Sequence, residues 1–121
     1  MTSLKRSLTI FMLLAATALL AWGPGDRVLG KWTDGYWYPA TVRSGISGIY
    51  NVAFDDGDTA TLNEGGIRPI DWKAGTKVEC NWQNRGLYYS GTIKRKEGDR
   101  IHVIYDDGDR EETGIGKCRS K

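Results

Sequence analysis

The chain has 121 residues, of which 40% are hydrophobic and 26% are charged. This balance excludes an intrinsically disordered chain, a collagen and a membrane protein with several spans. Sixteen glycines, five tryptophans and six tyrosines favour short strands joined by turns over long helices.

The N-terminus has the pattern of a secretory signal peptide. Two basic residues precede an apolar run from Leu8 to Trp22, which would rise about 22 Å as a helix against a hydrocarbon core of about 30 Å. We therefore expect an exported protein, periplasmic or secreted, with cleavage after Ala18 or Ala21. An uncleaved membrane anchor and a buried helix are the alternatives. Contact with a membrane is expected only through residues 8–22, and only if they are retained.

Removal of residues 1–21 would also change the charge of the chain. This segment contains two basic residues and no acidic ones, so positive and negative side chains balance in the remainder. A neutral chain makes nucleic acid a less favoured partner.

The rest of the chain contains an internal repeat with a period of about 50 residues. The Asp-Asp-Gly-Asp sequence at 55–58 returns at 106–109, and many other positions match at an offset of 50 or 51. The clearest pairs are Gly25/Gly75, Val28/Val78, Trp32/Trp82, Tyr38/Tyr89, Thr41/Thr92 and Val52/Val103. We call residues 25–70 the first unit and residues 75–119 the second unit.

Each unit reads as five short strands separated by turn residues, which predicts an all-β fold of two small five-stranded barrels. Asp56-Gly57 predicts a type I′ hairpin turn. The connection Asp71–Ala74 is too short to be a flexible tether, so we expect the two units to touch. Trp37 and Trp72 are the candidates for that contact. The predicted strands are 27–32, 36–43, 49–54, 58–62 and 67–70, then 76–82, 86–95, 100–105, 110–113 and 116–119.

Four features in each unit resemble the tandem Tudor modules of the Royal group, which are SH3-like barrels and include Agenet-like members. They are a Trp after the first strand, a Gly-aromatic stretch opening the second, an aromatic ending the third, and an Asp-Asp-Gly turn. In this sequence the features are Trp32, Gly35–Tyr38, Phe54 and Asp55–Gly57, and then Trp82, Gly86–Tyr89, Tyr105 and Asp106–Gly108.

The resemblance implies a binding module without catalysis or cofactor, in which aromatic rings and an acid hold a methylated lysine or arginine. The first cage would consist of Trp32, Tyr38, Phe54 and Asp56. The second cage would consist of Trp82, Tyr89, Tyr105 and Asp107. The expected partner is a protein or peptide that carries a methylated cation, or a quaternary ammonium group such as choline. A purely structural role of these aromatics in the barrel core is the alternative.

This sequence departs from the Tudor pattern just after each Asp-Asp-Gly turn. Many methyl-lysine readers have a further aromatic there, where this chain has Asp58 and Asp109. Each cage would then have three aromatic walls and additional negative charge, which favours a cation.

The cysteines follow from the same resemblance. Cys80 lies on the first strand of the second unit and Cys118 on its last, and in SH3-like barrels these strands are neighbours. Two such cysteines in an exported chain predict one disulfide.

Other chemistry is poorly supported by the sequence. The only histidine, His102, falls in a predicted strand and has no metal-ligand pattern around it, so we expect a surface or packing role and no metal site. No nucleophile or phosphate-loop motif is present, which indicates no enzyme activity and no catalytic residues. The basic hairpin Lys94–Lys96 with Arg100 leaves binding of an anionic polymer open. A structural protein–protein adaptor of the cell envelope, acting through the inter-barrel surface and Trp72, is the other alternative.

Overall fold

The computed structural model describes residues 22–121. The predicted signal peptide or anchor helix at 1–21 lies outside the described residues and stays a prediction. Within residues 22–121, no helix is long and apolar enough to cross a membrane. Trp22, the last residue of the predicted apolar run, packs against the core of the first unit.

The first unit forms a five-stranded antiparallel sheet in the order β4-β3-β2-β1-β5. A short 3-10 turn at Glu64–Gly66 precedes the last strand. The strands are β1 (Arg27–Lys31), β2 (Trp37–Ile46), β3 (Ile49–Phe54), β4 (Thr59–Asn63) and β5 (Ile67–Pro69).

The second unit repeats this sheet in the order β10-β6-β7-β8-β9, with the final strand again beside the first. A 3-10 turn lies at Ile115–Lys117, and Trp82–Asn84 forms a turn in which Gln83 and Asn84 have positive φ. The strands are β6 (Lys77–Asn81), β7 (Tyr88–Glu97), β8 (Arg100–Tyr105), β9 (Arg110–Gly114) and β10 (Cys118–Arg119). The prediction of an all-β fold with five strands in each unit is therefore confirmed.

The predicted type I′ turn at Asp56-Gly57 is wrong. A type I′ turn needs positive φ at both central residues. Gly57 has a φ of +100°, but Asp56 is not one of the described residues with positive φ. The Gly57 N–H instead bonds to the Phe54 carbonyl at 2.9 Å, and the Phe54 N–H bonds to the Asp58 carbonyl at 2.7 Å. This is a three-residue loop in which glycine takes the left-handed position.

The hairpin turn between β2 and β3 does have positive φ at both central residues. Ser47 has a φ of +52° and Gly48 a φ of +79°, and Ile46 lies directly opposite Ile49. Strand β2 therefore continues to Ile46, beyond the predicted end at Arg43. A β-bulge between Val42 and Ser44 bends the strand so that it can continue.

The two cores follow the alternation of the strands. In β8, Ile101, Val103 and Tyr105 are buried and the residues between them are not. The second core also contains Leu29 of β1 and Trp72 of the connection, which is 3% exposed. One hydrophobic core therefore includes residues from both units.

Trp37 and Trp72 both lie at the contact between the units, as predicted. The backbone of Trp37 exchanges two hydrogen bonds with Ser120, at 2.8 and 3.0 Å. The Trp72 indole N–H donates to the Ser120 hydroxyl at 3.3 Å. Because Trp72 is buried inside the protein, it cannot contact a partner protein, and that part of the adaptor hypothesis is wrong.

The predicted disulfide between Cys80 and Cys118 is present. The two residues lie directly opposite each other on β6 and β10, and both are fully buried. The bond fixes the two-residue strand β10, which on its own has few hydrogen bonds to hold it.

Candidate functional site

The structure brings the predicted first cage residues together around one cavity of about 80 Å³. The cavity is lined by the three aromatics Trp32, Tyr38 and Phe54 and by three acidic side chains, Asp34, Asp56 and Asp58. The rings of Trp32 and Tyr38 each lie roughly perpendicular to the Phe54 ring, with centroid distances of 5.3 Å and 6.3 Å. Phe54 is 6% exposed and forms the floor of the cavity, while the other two rings form its walls.

Local backbone geometry places the walls. Trp32 directly follows β1, and its N–H bonds to the Tyr36 carbonyl at 2.9 Å. The Gly35 N–H bonds back to the Trp32 carbonyl at 3.0 Å, with a φ of +85° at Gly35 that favours glycine. This tight turn returns the chain into β2 so that Tyr38 faces Trp32 across the cavity.

Asp34 is a cage residue that the sequence analysis missed. One carboxylate oxygen accepts the Tyr36 N–H at 2.9 Å, and the other accepts the Tyr38 hydroxyl at 2.6 Å. Burial and this hydrogen bond raise the pKa of Tyr38 to about 12. The hydroxyl therefore stays protonated at neutral pH and holds the ring in place. The sequence did contain a signal for this role, because Asp34 lies in a glycine turn directly before the aromatic stretch Tyr36–Tyr38.

The other two carboxylates of the first cage lie on the hairpin after β3. Asp56 accepts the Asp58 N–H at 3.0 Å, which fixes the loop. Within residues 22–121 neither side chain forms an ion pair. Their charge is therefore available to a ligand in the cavity.

The predicted second cage residues also meet, around a larger cavity of about 170 Å³. It is lined by Trp82, Tyr89, Tyr105, Asp107 and Asp109. The Trp82 and Tyr89 rings lie edge to face at 6.4 Å. Tyr89 is 46% exposed, so one wall of this cavity faces solvent.

Tyr105 takes the position of Phe54 and is anchored differently. Its hydroxyl donates to Glu111 at 2.6 Å. Burial raises the pKa of Tyr105 well above its ordinary value, and the bond to Glu111 raises it further. The other oxygen of Glu111 accepts the Gln83 N–H at 3.0 Å, which ties the turn carrying Trp82 to β9.

The two cages differ most in the residue that lies just before the glycine of the turn after the tryptophan. Asp34 of the first cage corresponds in the repeat to Arg85 of the second. The Arg85 guanidinium lies over the Trp82 ring, 5.1 Å from its centroid. The first cage therefore has three carboxylates at its cavity, whereas the second has two carboxylates and a cation on its tryptophan.

Arg119 of the second unit reaches the wall of the first cage. It donates to the Tyr38 hydroxyl at 3.0 Å and lies 3.8 Å from Asp34. It is held by two hydrogen bonds to Glu79, at 2.9 and 3.1 Å. Its guanidinium is stacked between Tyr36 at 3.9 Å and Tyr88 at 4.1 Å. The first cage is thus supported by residues from both units.

The remaining acidic residues do not form a metal site in the described part of the chain. No group of three or more His, Cys, Asp or Glu side chains there could hold a metal ion. Asp55, beside the first cage, is occupied by a two-pronged ion pair with Arg27 at 2.7 and 2.9 Å.

Fold and site together define a protein of paired small β-barrels, each with an aromatic pocket flanked by carboxylates. Comparison with known proteins agrees with this class. Residues 24–70 match the family model described as the DNA repair protein Crb2 Tudor domain, and residues 75–118 match the Agenet domain. No curated protein sequence matches significantly.

One solved structure shares the fold, and two others align more weakly. The crystal structure of the Crb2 tandem tudor domains aligns with a TM-score of 0.58 and 19% identity, covering 84% of this chain and 81% of that one. Arabidopsis thaliana AGDP1 AGD34 aligns at 0.41 with 16% identity, covering 88% and 86%. The ADCP1 tandem Agenet domain 3-4 aligns at 0.40 with 16% identity, covering 88% and 84%.

The chain belongs to the tandem Tudor/Agenet domain proteins. Domains of these families are non-catalytic modules that in general bind methylated lysine or peptides.

Proposed function

We propose that this protein binds a methylated ammonium or guanidinium group on a protein or peptide partner, and that the first cage is the principal site. The observation that carries this proposal is the convergence of three aromatic rings and three carboxylates on one small cavity. The cavity is too small for a drug-sized ligand but suits the head of a single side chain.

The chemistry of the cavity favours a cation that water holds weakly. Each methyl group removes a hydrogen-bond donor, and the faces of aromatic rings attract the remaining positive charge by about 0.5–2 kcal/mol per contact. Carboxylates add Coulomb attraction and can accept a hydrogen bond from a remaining N–H. We therefore expect a preference for partly methylated groups, which keep such a donor, over fully methylated ones.

The charge difference between the cages favours the first one. Asp34 adds negative charge to the first cavity, which Arg119 at 3.8 Å offsets in part, while Arg85 places a positive charge against Trp82 itself. Like charges near a protein surface repel by roughly 1 kcal/mol or more at short range. A methylated cation should therefore bind the second cage more weakly.

The test is an NMR titration of labelled protein that follows the tryptophan indole N–H signals. The ligands are peptides with mono-, di- or trimethyl-lysine, dimethyl-arginine and choline, with unmodified lysine as the reference. We expect saturable shifts at Trp32 for the methylated ligands. Replacement of Trp32 by Ala, followed through the backbone amide of Phe54 because the indole signal is lost, should weaken binding about tenfold, and Trp82→Ala should change it little.

Two results would count against the proposal. If no ligand shifts Trp32 at millimolar concentration, the aromatics serve only to build the barrel. If methylated and unmodified lysine bind equally, the cavity recognises charge alone. The dispersion of the backbone amide spectrum of each variant serves as the control for folding.

We also propose that the protein works outside the cytoplasm or at a membrane, on the basis of the apolar run at 8–22. The ligand would then be a methylated side chain of an envelope protein or a quaternary ammonium headgroup. N-terminal sequencing of the protein purified from its native host tests this. A chain starting at residue 19 or 22 supports export, and a full-length chain in the cytosolic fraction contradicts it.

A further inference from the structure

One row of side chains on the outer face of the second unit differs sharply from its counterpart in the first. In the first unit, Ser44, Asn51 and Thr61 lie side by side across β2, β3 and β4. In the second unit the same register places Arg95, His102 and Glu112 across β7, β8 and β9. A neutral row has thus been replaced by a charged one with a histidine at its centre.

The row in the first unit satisfies its own hydrogen bonds. The Asn51 amide donates to the Ser44 hydroxyl at 2.9 Å, and its oxygen accepts from the Thr61 hydroxyl at 2.8 Å. This face therefore has no polar group that calls for a ligand.

The row in the second unit leaves its histidine unsatisfied. Arg95 forms ion pairs with Glu112 at 3.1 Å and with Glu97 at 3.0 Å. Both ring nitrogens of His102 are buried, and neither has a hydrogen-bond partner among residues 22–121. Buried polar atoms without a partner are unfavourable and uncommon, so each one calls for an explanation.

A cavity of about 230 Å³ lies at this row. It is lined by Arg95, Glu97, Arg100, Ile101, His102 and Glu112. Within residues 22–121, Arg100 forms no ion pair, whereas both glutamates are committed to Arg95. The uncommitted groups of the cavity are therefore a guanidinium and an imidazole.

We propose that this cavity is a second binding site, which takes a phosphate group. Arg100 presents a planar set of donors that matches two phosphate oxygens. The ring nitrogens of His102 are buried, so the imidazole donates one further hydrogen bond once the side chains that cover it move aside. Arg95 is already oriented by its glutamates and keeps a donor that they do not use. A metal ion does not fit, since no three potential ligands converge in the part of the chain the structure describes.

The site does not depend on the aromatic cages. It lies on the outer face of β7–β9, whereas the second cage lies around Trp82, Tyr89 and Tyr105. The two sites can therefore be tested separately.

The experiment is a titration with inorganic phosphate at constant ionic strength, read from the imidazole C–H signals. Because His102 is the only histidine of the chain, these signals need no assignment. We expect a saturable shift that sodium chloride at equal ionic strength does not produce. Arg100→Gln should weaken phosphate binding about tenfold, because it removes charge-assisted hydrogen bonds. The matched control is Arg110→Gln, which removes a charge from the same sheet outside the cavity and should leave binding unchanged.

A second variant and a second ligand complete the test. His102→Asn introduces the residue that the first unit has at this position, and it should also weaken phosphate binding. Because this variant has no imidazole signal, its binding is measured from the backbone amide of Ile101. A short oligothymidylate separates a single-phosphate site from a polyanion surface. Equal loss of binding in Arg100→Gln and Arg110→Gln would overturn the proposal, as would binding of the oligonucleotide without any binding of phosphate. A shift that never saturates would also overturn it.

Discussion

Arg119 donates a hydrogen bond of 3.0 Å to the hydroxyl of Tyr38, across 81 residues of sequence. The contact joins β10 of the second unit to the wall of the first cage. Because Arg119 is also held by Glu79 and stacked between Tyr36 and Tyr88, it acts as a rigid support. Its neighbour Cys118 is covalently bonded to Cys80 of β6. The two residues of β10 therefore serve the disulfide and the cage support, respectively.

Replacement of Arg119 by Ala should weaken ligand binding at Trp32 about threefold to tenfold, because Tyr38 loses one of its two hydrogen bonds. It should also lower the free energy of unfolding by about 2 kcal/mol, because Glu79 loses its charged partner and keeps only the Tyr36 hydroxyl. The measurements are the indole titration and urea unfolding. Arg43→Ala, an exposed residue on β2, is the control. Unchanged affinity in a folded Arg119→Ala protein would show that the second unit does not support the cage.

A reciprocal exchange tests the charge difference between the cages. Asp34→Arg should weaken binding at the first cage at least tenfold, and Arg85→Asp should strengthen binding at the second cage by about the same factor. Asp34→Asn keeps a side-chain oxygen for the Tyr36 N–H but removes the charge, so it should show an intermediate loss. The readouts are the shifts of Trp32 and Trp82. If Arg85→Asp leaves Trp82 without a response, the larger size of the second cavity and not its charge limits binding.

Loss of the disulfide should destabilise the whole protein. With a sequence separation of 38 between its cysteines, the closed loop should contribute about 3–4 kcal/mol. The double variant Cys80→Ala/Cys118→Ala should therefore unfold at a lower urea concentration. Reducing agent should shift the wild-type transition in the same direction and leave the variant unchanged. Coincident unfolding curves for wild type and variant would contradict this role.

Stability should fall as the pH rises from about 10 to about 12. The folded pKa of Tyr38 is about 12, above its ordinary value of 10.0, so its contribution is complete below pH 10 and is lost as the pH rises through 12. Urea unfolding at several pH values measures the slope, and absorbance at alkaline pH follows tyrosine ionisation. Tyr38→Phe should reduce the slope. An equal slope in wild type and Tyr38→Phe would show that other groups account for it.

Leu29→Ala should destabilise both units although Leu29 lies on β1 of the first. Its side chain is fully buried in the core that contains Trp72 and the second sheet. We expect a loss of about 2–5 kcal/mol and faster hydrogen exchange of the β8 amides. Ala60→Gly on β4 changes a partly buried residue of the first core and should leave β8 exchange unchanged. Protection of β8 that survives Leu29→Ala would mean that the units fold independently.

The repeat and the period-2 alternation predicted the strands well, because each strand buries alternate residues that are apolar in the sequence. They also placed the cage aromatics near strand ends, where neighbouring strands of a barrel converge. The conformation of the turns was harder to predict from the sequence. Asp56-Gly57 and Ser47-Gly48 both carry turn residues, and only the number of residues between paired strands decides which one has positive φ at both positions.

By itself, the sequence determined what depends on short-range chemistry: the strand pattern and the duplicated tryptophan and tyrosine positions. The pairing of the cysteines followed from the family resemblance, which supplies the strand order. Only the tertiary structure decided which other side chains from distant segments meet. The support of Tyr38 by Arg119, the entry of Leu29 into the second core, and the lack of a partner for the His102 imidazole among residues 22–121 all depend on how the two sheets pack and twist. Such contacts arise from the approach of surfaces far apart in the chain, and local residue preferences carry no record of them.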